Sequence, residues 1–133
     1  MQLPSIEGLI VLPTHHTAAA IVAKTVAIAQ ARGITVFANM DFSGDAARSQ
    51  LTLRPTALVI LGNPAAGTPV MDAAQTTAID LPLKILAFED AQGRTWVAYN
   101  DPAYLQRRHG FSDALMKNLA PIGKLAEAVA SAD

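Results

Sequence analysis

ALVILGNPAAGTPVMDAAQ, residues Ala57 to Gln75, runs an apolar strand into a Gly/Asn/Pro turn and then into a helix start. The five apolar residues Ala57 to Leu61 suit a strand covered on both faces, and Gly62-Asn63-Pro64 stops it because proline has no N–H for a sheet ladder. Thr68-Pro69 predicts the helix start: the threonine hydroxyl caps, and proline takes the first helical position, where a missing donor costs nothing. The two glycines of Gly62-Asn63-Pro64-Ala65-Ala66-Gly67-Thr68 have the spacing of a phosphate-cradling loop. The lysine of that motif is absent, however, and Pro64 removes an amide from the cradle. What survives is a shaped turn whose helix-start amides at Thr68 are expected to face a small ligand, a carboxylate or phosphate among the groups they suit.

Upstream, Gly8 to Leu12 reads as a buried strand ended by Pro13. Thr17 is the expected cap of a helix over Ala18 to Arg32, with Ile21, Val22, Thr25, Val26, Ile28 and Ala29 on its apolar face and Gly33 as its stop. Thr35 to Asp41 alternates Val36, Ala38 and Met40 against Phe37, Asn39 and Asp41, a half-exposed strand. Ser43 to Leu51 predicts a short helix capped by Ser43.

Downstream, Asp80 is expected to pin the Ile79–Pro82 turn through nearby backbone amides. Asp90-Ala91-Gln92-Gly93 between Leu83–Glu89 and Arg94–Tyr99 is a hairpin signal. Asp101-Pro102 opens a short helix that ends near Gly110. Ser112 is expected to cap a last helical stretch, kinked or broken at Pro121, with Leu115, Leu119, Ile122, Ala126 and Val129 in one stripe. The order β-α-β-(short α)-β-α-β-β-α-α predicts one compact α+β domain over residues 1–133, with a mixed sheet of about five strands packed by helices.

Ten basic against eleven acidic residues, scattered apart from Arg107-Arg108, leave a net charge of -1 and no footprint for nucleic acid. Cysteine is absent, which excludes disulfides and thiolate chemistry. No apolar run reaches the roughly 20 residues of a membrane helix, and no leader pattern is present, so a soluble cytoplasmic protein without a membrane partner is expected. A hydrophobic content of 51% is high for a small soluble domain, and a homodimer interface is one way to bury it. Three histidines match no metal-ligand spacing, so neither metal nor cofactor is expected. For ligand binding the candidates are His16, Asp41, Asn63, Thr68, Asp80, Tyr99, Asn100 and His109, all near element ends.

The motifs Gly62-Asn63-Pro64, Gly67-Thr68-Pro69, Asp80-Leu81-Pro82-Leu83, Tyr99-Asn100-Asp101-Pro102 and Arg108-His109-Gly110, in that order, resemble the family called domain of unknown function 302. His16-Thr17, Gly33 to Phe37, Asp41 and Ala47-Arg48 are similar to its N-terminal half. The resemblance implies an α+β fold and small stand-alone proteins, often dimeric, and assigns no catalytic residue. Where the family pattern often has Asp-His after the second strand, this chain has Asp41-Phe42. The expectation is therefore a small-ligand binding protein with its pocket at the Gly62–Pro69 turn, rimmed by His16, Tyr99 and His109. Two alternatives stand beside it: an enzyme using His16 or His109 as acid–base groups or metal ligands, and a homo-oligomeric interaction module.

Overall fold

Strands β1 (Leu9–Thr14), β2 (Thr35–Asp41), β3 (Thr56–Gly62), β4 (Leu83–Glu89) and β5 (Thr95–Asn100) form one sheet in the order β1-β5-β4-β3-β2. The structure is a computed structural model describing residues 4–131. The α+β class and the five strands agree with the sequence, but the sheet is not mixed, since all four neighbouring pairs are antiparallel. A β-α-β run normally signals adjacent parallel strands. Here β1 and β2 do point the same way, yet helix α1 (Ala18–Ala31) carries the chain across to the opposite edge, and three strands fill the gap.

One face of the sheet carries the main core. Ala57, Val59 and Leu61 of β3, Ile85 and Ala87 of β4, and Val97 and Tyr99 of β5 are buried there. Most of them pack against Ala18 and Ile21 of α1 and the Ile122, Leu125, Ala126 and Val129 stripe of the last helix. Thr17 Oγ1 caps α1 by accepting from the Ala20 N–H at 3.1 Å, as expected. The covering on both faces expected for β3 is only half realised: Leu58 and Ile60 turn to the other face and are half-buried. That second face carries a smaller cluster of Val11, Trp96 and Ala98 with Leu9, Leu86 and Phe88.

Both edge strands depart from the sequence reading. β1 continues through Pro13, opposite Trp96, because an edge strand has one side on which a missing N–H breaks no ladder. In β2 the register shifts between Val36 and Ala38, a bulge at Phe37. Directly opposed residues share a face, so Val36 opposite Leu61 and Asn39 opposite Val59 lie on the helix side, with Met40 opposite Leu58 on the other. The expected grouping of Val36 with Ala38 and Met40 is thereby broken.

The hairpin is as read. The Asp90 N–H donates to the Arg94 carbonyl at 2.8 Å, and Gly93 takes φ +79°, which a side chain would strain. Helix α4 (Pro102–His109) starts as predicted, with Asp101 Oδ1 accepting from the Ala103 N–H at 3.0 Å. The last stretch resolves into a 3₁₀ turn, η2 (Asp113–Asn118), and α5 (Pro121–Ala130), with Pro121 in the first turn of α5. Ser112 makes no side-chain cap. The short helix α2 (Phe42–Arg48) is capped by Asp41 rather than Ser43, whose hydroxyl instead donates to Asp41 Oδ1 at 2.8 Å. Asp41 precedes the helix in extended backbone and reaches the Gly44 N–H at 3.0 Å, which Ser43, already inside the helix, does not.

Candidate functional site

The turn after β3 makes a sharper structure than its sequence suggests. Helix α3 (Pro64–Ala73) begins at Pro64, with Asn63 as cap, and leaves Thr68 and Pro69 inside the helix. Asn63 Oδ1 accepts from the Ala65 N–H at 3.0 Å, and the Asn63 carbonyl accepts from the Ala66 and Gly67 amides, each at 2.9 Å. The asparagine cap wins because Pro64 supplies a pre-set φ in the first helical position directly behind it. Pro69 removes only the donor for the Ala65 carbonyl, and Ala65 is exposed to water. The open anion-binding amides expected at Thr68 are therefore not there: in the first turn, Pro64 has no N–H and the next three residues have partners.

Beside this turn lies a pocket of about 690 Å³. Gly62 through Thr68, with Met71, form one wall. Leu81, Pro82 and Leu83, at the start of β4, form a second. Leu119, Ile122 and Leu125 form the floor, while Ile34 and Phe37 close the side of β2. Phe37 is 48% exposed, and a Cβ built on Gly62 would stand 3.8 Å from its ring, so the bulge in β2 sets an aromatic ring at the pocket rim. Lys117 and Asn118, at the end of η2, also line it. Asn118 Nδ2 donates to the Ala66 carbonyl at 2.9 Å and fastens η2 to α3.

Of the residues expected at the site, Asn63 and Thr68 line this pocket and the other six do not. His16 sits between β1 and α1, where the Ser131 carbonyl accepts from its Nε2 at 2.6 Å and from Lys24 Nζ at 3.1 Å. Asp41 is the α2 cap, and the Gly44 amide and then the Ser43 hydroxyl hold its carboxyl below the usual range. Tyr99 lies in the core with its hydroxyl against Gly123, where burial, then Glu127 and Asp101, push its ionisation up. Asn100 ends β5 opposite Leu9.

Asp80 and His109 do come together, away from the pocket. Asp80 does not pin its own turn. Its carboxylate accepts from Arg108 Nη1 at 3.0 and 3.1 Å and from His109 Nε2 at 2.6 Å. While Nε2 donates to Asp80, Nδ1 faces the Thr76 hydroxyl at 2.9 Å. This chain of hydrogen bonds joins α4 to the 3₁₀ turn η1 (Gln75–Asp80). Among the described residues no group of three or more His, Asp or Glu side chains is arranged to hold a metal ion.

Phe37, Leu81, Lys117 and Asn118 are among the lining residues that the sequence did not point to. Only the Leu119 and Ile122 stripe hinted at the floor, and no local signal places Lys117 beside a turn some fifty positions earlier.

Residues 10–131 match the family model "Domain of unknown function DUF302". The "Fluoride-specific ion channel FluC 1" of Brucella suis biovar 1 is 38% identical over 113 residues, covering 83% of this chain and 44% of that protein. The "Fluoride-specific ion channel FluC 2" of Brucella melitensis biotype 1 is likewise 38% identical, with 42% of its length matched. The chain thus spans less than half the length of these relatives. A crystal structure titled "uncharacterized conserved protein DUF302 from Bacillus stearothermophilus" shares the fold with TM-score 0.75 at 16% identity, covering 94% of this chain and 97% of that one. The matched region takes in all five strands but for Leu9 at the start of β1, the turn that builds the pocket and the helix beneath it, and on that match the chain belongs to the DUF302 family.

Proposed function

We propose that this chain is a small-molecule binding domain whose ligand occupies the pocket between the β3–α3 turn and α5. The carrying observation is the pocket itself: about 690 Å³, within the size range of small-molecule sites, with mainly apolar walls and a few polar groups at the edge. Among the described residues no helix is long and apolar enough to cross a membrane. We therefore read the segment matched in the Brucella fluoride channels as a ligand-binding module within those longer chains, and fluoride conduction is not carried over to this one.

Gly67 offers the test. A Cβ there would meet Leu81 Cδ1 at 3.8 Å and Met71 Cε at 3.9 Å, ordinary contacts, so a first carbon fits and a longer side chain enters the pocket. In a thermal-shift screen against a metabolite library, a ligand at 100 times its dissociation constant stabilises the wild type by about 2.7 kcal/mol. Gly67→Leu, with an unaltered circular dichroism spectrum, is expected to lose that shift. A library that leaves the wild type unmoved counts against the proposal.

We also propose a homodimer formed through the sheet face opposite α1 and α5. The support is a row of apolar residues crossing all five strands on that face: Met40, Leu58, Leu86, Ala98 and Val11, each opposite the next.

A further inference from the structure

We infer that the pocket selects a ligand with an apolar body and one anionic head, of the class of medium-chain or aromatic monocarboxylates; this rests on the binding role proposed above. Among the described residues Lys117 is the only charged one in the lining, with no aspartate or glutamate beside it. Its side chain is exposed at the end of η2 and has no hydrogen bond or ion pair among the described residues, so the ammonium is available while its methylene stem can lie along the apolar wall.

No second cation is free nearby; the donors beside Lys117 are neutral, namely the Thr68 hydroxyl and Asn63 Nδ2, which have no hydrogen bond among the described residues. The first-turn amides of α3 are absent or occupied, and Asn118 Nδ2 is held by the Ala66 carbonyl. Lys84 follows the lining residue Leu83, but its Nζ donates to the Asp80 and Pro82 carbonyls at 3.3 and 3.0 Å. A phosphate ester, whose double charge calls for a second cation or a set of free backbone amides, is therefore poorly served, whereas a single carboxylate at the mouth is matched by one lysine with neutral donors beside it.

Titration calorimetry with octanoate, 1-octanol and octyltrimethylammonium separates head from body. The wild type is expected to bind octanoate about fivefold more tightly than octanol, the scale of one exposed ion pair, and the ammonium probe most weakly. Lys117→Gln should bring octanoate to the level of octanol without changing octanol, and raised salt should narrow the wild-type preference. Equal binding of octanoate and octanol, or a preference that survives Lys117→Gln, overturns the anionic-head inference and leaves the pocket standing. If none of the three probes binds, the inference about the ligand class is overturned, while the binding role stands or falls with the library screen. Octanol binding that Gly67→Leu leaves intact overturns the location as well.

Discussion

Tyr99 shows how a polar candidate becomes a core residue. Its ring packs into the helix-covered face of the sheet at 7% exposure, and α5 makes room for the hydroxyl with a glycine, where an added Cβ would come within 3.1 Å of the oxygen. Burial disfavours the phenolate, and Glu127 and Asp101 repel it further, so the folded pKa lies above its ordinary value of 10.0. The sign follows from linkage. Below 10 the tyrosine is neutral in both states and this contribution is fully present. As pH rises towards the folded value the unfolded chain ionises first, and stability is lost. Urea denaturation between pH 9 and about 11 is therefore expected to show a shallower alkaline decline for Tyr99→Phe than for the wild type. Parallel declines would remove this account of Tyr99. The residue was legible in the sequence as tyrosine at the end of an alternating strand. Whether its face looked into core or pocket was not, because alternation gives two faces and only the position of α5 says which is covered.

At the scale of one element, α3 is where local grammar pointed two ways. Asn63-Pro64 and Thr68-Pro69 carry the same cap-then-proline signal five residues apart, and either is a sound helix start read alone. In the fold the earlier one is used, and the helix then runs through Pro69. Asn63→Ala should accordingly cost about 1 kcal/mol in chemical denaturation, and Thr68→Ala within about 0.5 kcal/mol. The reverse order would mean that the helix begins where the sequence alone suggested. β2 teaches a similar lesson: its extent was legible from composition, but the bulge at Phe37, which turns an aromatic ring to the pocket rim, has no signature in a seven-residue alternation.

Over the whole molecule, the two faces of the sheet are unequal. α1 and α5 lie on one, while the other presents Leu58, Ile60, Leu86 and Phe88 half-buried and ends at β2 with Met40 37% exposed. A second copy covering that face would bury apolar surface of the kind stable interfaces use, and β2 is an edge strand with a free ladder. Sedimentation velocity at micromolar concentration is expected to give a dimer, and Met40→Asp, which puts a charge into the cross-strand row, to shift it to monomer. A wild type that sediments as a clean monomer at every concentration sinks the homodimer.

Signals that act within a few residues were readable before any fold was known. The Thr17 and Asp101 caps, the Asp90–Gly93 hairpin, the apolar periods of α1 and α5, and a strand that stops at Gly62 all rest on backbone chemistry between near neighbours. Together they specified the α+β class and put a pocket wall at the Gly62–Pro69 turn. The tertiary structure alone decided that β1 and β2 occupy opposite edges, that Asp80 meets His109 rather than its own turn, and that Lys117 and Asn63 line one pocket. Those are contacts between residues far apart in the chain, chosen by how the apolar faces of helices and sheet bury one another, and no short stretch of sequence carries that information.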